Sequence, residues 1–131
     1  IDKASEILRK GGLVAFATET VYGLGASALN GEAVKNIFLA KGRPQDNPLI
    51  VHLANASDAE KYAYTCDTYY RLAESFMPGP LTVILPKRDV IPYEVTGGLK
   101  TVGIRVPSNE TARNLIKLSG INNRVIPVQV I

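Results

Sequence analysis

Lys41, Arg43, Asn47 and His52 fall in one short stretch, residues 38–54, which reads FLAKGRPQDNPLIVHLA. Lysine and arginine donate to phosphate oxygens, arginine in a two-pronged fashion. Two cations, an amide and an imidazole beside one loop therefore make a cradle for a polyanion. The same cations would also serve a solvated helix C-terminus, where positive charge complements the helix dipole. A second set lies downstream: in residues 101–106, Thr101, Gly103 and Arg105 alternate with Val102, Ile104 and Val106. A hydroxyl, a bare backbone position and a guanidinium on one strand face would form a ligand wall or a plain solvated face. His52 is the single histidine. In an apolar strand it reads as a core residue or, beside Arg43 and Asn47, as part of a site.

The elements that must position these residues follow from caps, breakers and periodicity. Asp2 is expected to cap a helix running to Lys10, with Ile7 and Leu8 on its apolar side and Gly11-Gly12 ending it. Residues 13–17 form a continuous apolar run, expected as a strand buried on both faces. It opens into Thr18-Glu19-Thr20-Val21-Tyr22-Gly23-Leu24-Gly25, read as a ligand-facing loop or a plain turn. Asn30 should cap a second helix to about Lys41, and Gly42, Pro44 and Pro48 separate it from a strand over 49–54. There Leu49, Val51 and Leu53 share one face, and Ile50, His52 and Ala54 the other.

Ser57 is expected to cap a short helix and Asp67 a longer one through Phe76, stopped by Pro78-Gly79-Pro80. A strand over 81–85 and a mixed-polarity loop over 87–100 with a Gly97-Gly98 turn come next. After strand 101–106, Ser108 would cap a last helix to Leu118. Residues 124–131 read as an edge or terminal strand, because Pro127 cannot donate to a ladder.

The chain has 131 residues, enough for one domain with a real core. Its 46% hydrophobic and 21% charged content is ordinary for a globular domain. No apolar run reaches the roughly 20 residues of a membrane span, and no leader-like segment is read at the start. One cysteine, Cys66, excludes an internal disulfide and a multi-cysteine metal site, which fits a reducing, cytoplasmic setting. The net charge of +3 permits an anionic ligand or nucleic acid without demanding one. The chain opens at Ile1 inside a helix pattern and stops at Ile131 inside a strand pattern. It is read as a single domain, 1–131, incomplete at both ends.

Four motifs in order resemble the YrdC-like domain family. They are Thr18 to Gly25; Lys41-Gly42-Arg43-Pro44 with Asn47-Pro48-Leu49 and His52; Pro78-Gly79-Pro80-Leu81-Thr82; and Val102-Gly103-Ile104-Arg105-Val106-Pro107. The resemblance covers about residues 3–121. It implies an α/β (α+β) fold, a twisted mixed sheet flanked by helices around an open basic cavity. It implies L-threonylcarbamoyladenylate synthase activity: L-threonine, bicarbonate or CO2, and ATP give threonylcarbamoyl-AMP and pyrophosphate, for the threonylcarbamoyladenosine modification of tRNA. By the resemblance Thr20, His52 and Arg105 would contact L-threonine, Arg105 through its carboxylate. Arg43, Asn47 and Thr101 would contact ATP, and Lys41 with Arg43 would face its phosphates as the catalytic cations. Mg2+ would arrive with ATP; no protein metal site and no prosthetic group are expected. tRNA and downstream modification proteins are further implied partners, and no membrane is.

One departure stands out. The family carries a Ser/Thr-x-Asn segment after the last helix, whereas this chain reads Ile121-Asn122-Asn123-Arg124-Val125-Ile126-Pro127. Two other functions fit the residues: an RNA-binding module without chemistry, and a carbamoyl-adenylate-handling domain of a larger maturation protein.

Overall fold

The computed structural model describes residues 2–17, 22–42, 48–119 and 126–130. Helix α1 spans Asp2–Arg9, and strands β1 (Val14–Ala17) and β2 (Tyr22–Gly25) form an antiparallel pair. Helix α2 (Gly31–Lys41), strand β3 (Ile50–His52), a 3-10 turn over Ala56–Lys61 and helix α3 (Asp67–Phe76) follow. Strand β4 (Val83–Pro86), helix α4 (Tyr93–Thr96), strand β5 (Thr101–Arg105), helix α5 (Glu110–Ser119) and strand β6 (Ile126–Val130) complete the chain. The six strands form one mixed sheet in the order β1-β2-β6-β3-β5-β4. Only β3 and β5 run parallel among the strand pairs described; the others are antiparallel.

The helix ends are set by local chemistry. Gly11, at φ 86°, closes α1 with the paired bonds Gly11 N–H to Leu8 O and Gly12 N–H to Ile7 O, a Schellman ending. The Asn30 side chain accepts from the Ala33 N–H at 3.1 Å and caps α2. At the other end of α2 Gly42 takes the left-handed conformation.

Two apolar clusters sit on opposite faces of the sheet. On one face Val34, Ile37 and Phe38 of α2, Tyr69 of α3 and Val95 of α4 pack on Leu49, Val51, Leu53, Val102, Ile104 and Val106. On the other, Leu8 of α1 and Ala112, Leu115 and Ile116 of α5 pack together with Ala54 and Val14. Among the described residues no helix is long and apolar enough to cross a membrane.

Several expectations need correction. Residues 13–17 are not a strand buried on both faces: β1 is the sheet's outer strand and Ala15 is exposed. Alanine and valine tolerate such an edge, so apolar composition alone did not fix depth. Tyr22 to Gly25 is a strand rather than loop; Thr18 to Val21 lie outside the described residues. Ile7 is exposed at 37%, and only Leu8 of that pair is buried. The residue preceding the 3-10 turn is Asn55, not Ser57, and α3 is preceded by Cys66. Helix α5 is capped by Asn109, whose Oδ1 accepts from the Ala112 N–H at 3.0 Å, rather than by Ser108. The stretch 87–100 holds the short helix α4, with left-handed Gly97 behind it.

The largest correction concerns β6. It lies between β2 and β3, in the middle of the sheet. Pro127 is accommodated because pairing with β2 stops at Gly25↔Val128, one residue short of it, so only β3 is registered beside the proline.

Tyr69 is fully buried and its hydroxyl donates to Ala56 O at 2.7 Å. Burial first, then Tyr70 and Asp58, push this hydroxyl up to about 12. Burial, helped by Asp58, pushes Tyr62 up to about 12 as well. Both phenols are held neutral in the fold. Their contribution is complete below the ordinary tyrosine value of 10 and is lost as pH rises from there through about 12. Urea unfolding midpoints should therefore fall across this alkaline window, and Tyr69→Phe should make that fall shallower.

Candidate active site

The sheet face opposite the larger apolar cluster carries the polar residues of β3 and β5 that the motifs single out. β3 and β5 are registered Ile50↔Gly103, Val51↔Ile104 and His52↔Arg105. Residues registered side by side in a parallel pair point to the same side. Val51, Ile104 and their alternating neighbours Leu49, Leu53, Val102 and Val106 are all buried in the core. Ile50, His52, Thr101, Gly103 and Arg105 are thereby turned to the opposite face. The two residues that could bind an amino acid, His52 and Arg105, stand next to each other. Thr101 is four residues up the same strand, roughly 13 Å away at about 3.3 Å per residue.

His52 is 1% exposed, and its Nδ1 lies 3.2 Å from Ile50 O. A carbonyl only accepts, so Nδ1 carries the proton in this contact, which in a neutral ring makes Nε2 the acceptor. Arg105 is half-buried, and its Nε donates to Gly79 O at 3.3 Å. Gly79 N–H in turn donates to Val106 O at 2.8 Å, which ties the Pro78-Gly79-Pro80 turn to the end of β5. The Leu53 N–H donates to Arg105 O at 2.9 Å and carries the β3–β5 ladder one step further.

Helices α1 and α5 cover this face only in part. Toward β4 it stays open, and a hollow of about 220 Å³ is lined there by residues including Ile50, Thr82, Ile84, Leu99, Thr101 and Gly103. A Cβ at Gly103 would stand 3.2 Å from the Thr82 methyl and 3.8 Å from Ile50, so the missing side chain keeps the floor of the hollow low. The described lining is apolar with two threonine hydroxyls. The other expected site residues are not described: Lys41 is the last residue of α2, with its side chain outside what is described, and Thr20, Arg43 and Asn47 lie outside the described residues. So does most of the stretch 121–127 where the family's Ser/Thr-x-Asn segment was sought. A larger hollow of about 510 Å³ lies at the start of α2, with Arg9 and Glu32 in its lining. Its lining includes none of His52, Thr101 or Arg105; the smaller hollow is lined by Thr101 but by neither His52 nor Arg105.

Comparison with known proteins bears directly on this arrangement. The family model for Sua5, YciO and YrdC proteins, described as "Telomere recombination", matches residues 6–126. The chain belongs to this family. A threonylcarbamoyl-AMP synthase of Pyrococcus abyssi is 55% identical over 117 residues, covering 88% of this chain and 34% of the relative. A threonylcarbamoyl-AMP synthase of Bacillus subtilis is 50% identical over 123 residues, covering 92% of this chain and 36% of the relative. The crystal structure of P. abyssi Sua5 complexed with L-threonine superimposes with a TM-score of 0.92 at 51% identity, over 98% of this chain and 37% of that one. The chain thus spans about a third of the length of these Sua5-type relatives. The mixed α/β fold expected from the four motifs is the one these structures share.

Sequence reasoning grouped Thr101, Gly103 and Arg105 on one face, and the structure adds His52 and Ile50 to it. It missed the hold of Gly79 on Arg105 and the apolar part of the hollow. The signal for the hollow was present in Thr82 and Ile84 alternating with buried Leu85. The signal for the hold was not, because a backbone carbonyl has no residue type. In a neutral ring, long-range nitrogen–proton correlations of His52 should give the Nδ1–H tautomer pattern. An Nε2–H pattern would contradict the Ile50 contact.

Proposed function

We propose that this domain binds L-threonine and ATP and forms threonylcarbamoyl-AMP, as the catalytic part of an L-threonylcarbamoyladenylate synthase. The observation that supports it most is the His52–Arg105 register pair on the same sheet face as Thr101 and Gly103, which line the hollow, in a fold closely similar to a Sua5 protein crystallised with L-threonine. Arg105 pairs with the threonine carboxylate, its plane steadied by Gly79 O. His52, with Nδ1 engaged by Ile50 O, offers Nε2 to the threonine hydroxyl. Thr20 completes the amino-acid contacts. Thr101, at the rim of the hollow, takes ATP together with Arg43 and Asn47, and the hollow's apolar floor suits a planar base.

The chemistry then runs in two steps. The threonine amine adds to CO2, or to bicarbonate with loss of water, and gives a carbamate. A carbamate oxygen attacks the α-phosphorus of ATP, the bond to the bridging oxygen of the β-phosphate breaks, and pyrophosphate leaves. Lys41 and Arg43 offset charge building on the phosphates, so that catalysis comes from positioning and electrostatic stabilisation. Among the described residues no cluster of three or more His, Cys, Asp or Glu gathers. Mg2+ in this reading enters with ATP, ligated by phosphate oxygens and water. The product serves tRNA threonylcarbamoyladenosine formation in the cytoplasm, with tRNA and the downstream modification proteins as later partners.

On the full-length protein, pyrophosphate release from ATP should require both L-threonine and bicarbonate. Release indifferent to threonine, or salt-sensitive RNA binding without turnover, would reject the synthase reading. Arg105→Ala should weaken threonine binding by about 10- to 100-fold, the worth of a lost charge-assisted pair, while calorimetric ATP affinity stays within about twofold. Gly103→Val, which raises the floor of the hollow, should do the reverse: ATP binding weakens and threonine binding holds. Equal losses of both ligands in either variant would contradict the division of the face.

A further inference from the structure

The turn between α3 and β4 reaches Arg105 through the Gly79 carbonyl. We propose that Gly79 is a positioning residue for amino-acid binding: its main chain sets the direction of the Arg105 guanidinium, and its lack of a side chain is what allows the turn to reach that place. The inference deepens the threonine-binding role proposed for Arg105 and rests on it.

Three observations carry it. Gly79 grips the end of β5 by both of its backbone groups, its N–H on Val106 O at 2.8 Å and its carbonyl on Arg105 Nε at 3.3 Å. The Arg105 main chain is fixed independently, by register with His52 and by the Leu53 N–H on its carbonyl. A guanidinium is planar, so engaging Nε–H fixes its plane and hence the direction of the nitrogen edge that meets a carboxylate.

The third observation is steric. Gly79 is buried, and a Cβ there would stand 2.6 Å from Phe76 O and 3.7 Å from its carbonyl carbon. That neighbour is backbone at the end of α3, where the Met77 N–H closes on Ala73 O at 2.9 Å, so it cannot swing aside as a side chain would. Any other residue must displace the turn. The Arg105 bond, at 3.3 Å, already lies at the long end of useful geometry, so it is the contact a displacement breaks first.

The test is a double-mutant cycle on the full-length protein, with Gly79→Ala, Arg105→Ala and both together. L-threonine and ATP affinities are read by calorimetry, and thermal midpoints alongside. Gly79→Ala should raise the threonine Kd about tenfold, the scale of one charge-assisted bond, with ATP affinity within about twofold. On the Arg105→Ala background the same substitution should add no further loss of threonine affinity, as expected for groups acting through one another. Should Gly79→Ala lower the midpoint too far to be measured, Pro80→Ala loosens the turn without crowding Phe76 and should give the same pattern at about threefold. Losses that add, or that fall equally on both ligands, overturn the positioning role. An Arg105→Ala protein with unchanged threonine affinity would remove the threonine reading itself, a result separable from failure of Gly79 alone.

Discussion

The pairing of β3 with β5 is the constraint on which the rest of the molecule depends. Their register places Val51 beside Ile104 and His52 beside Arg105. Because strand side chains alternate, a slip of one residue would exchange the two faces wholesale. The apolar set on one side is buried almost completely, so the slip would carry those side chains out of the core and drive a histidine and a guanidinium into it. Burying an unpaired charge costs far more than any local gain could offset. The core therefore pins the position of the polar face, and the register of His52 with Arg105 is a by-product of hydrophobic packing on the other side.

The helices make the face usable. α2, α3 and α4 close the apolar side, while α1 and α5 pack on each other and on only part of the opposite side. What they leave open toward β4 is the hollow at Thr101 and Gly103. Ile84 and Leu99, both more than half exposed, form an apolar wall of that hollow.

Much of this was legible in the sequence because the signals were local. The Asn30 cap, the double-glycine ending of α1 and the alternation of Val102, Ile104 and Val106 each need only a few neighbouring residues to read. Motif order was enough to point to the family, and the same alternation put Thr101 and Arg105 on one face. The failures share another cause. Whether 13–17 sits inside the sheet or at its margin, and whether 126–130 is central, depends on partners far along the chain. Pro127 pointed toward an edge because the side on which its missing donor would go unnoticed cannot be known from one strand alone. Cap positions moved by one or two residues, from Ser108 to Asn109 for instance, because neighbouring polar residues compete for the same orphan N–H groups.

The central place of β6 has a consequence for how the domain is made. Without it the sheet falls into two pieces, the β1–β2 hairpin and the β3–β5–β4 trio, each presenting an unpaired margin to the gap. During synthesis those margins stay open until β6 has emerged, since the strand that joins them follows the other five in the chain. Through that interval two sticky strand borders face outward on one nascent chain. Completion of the sheet is a long-range closure, slow by topology.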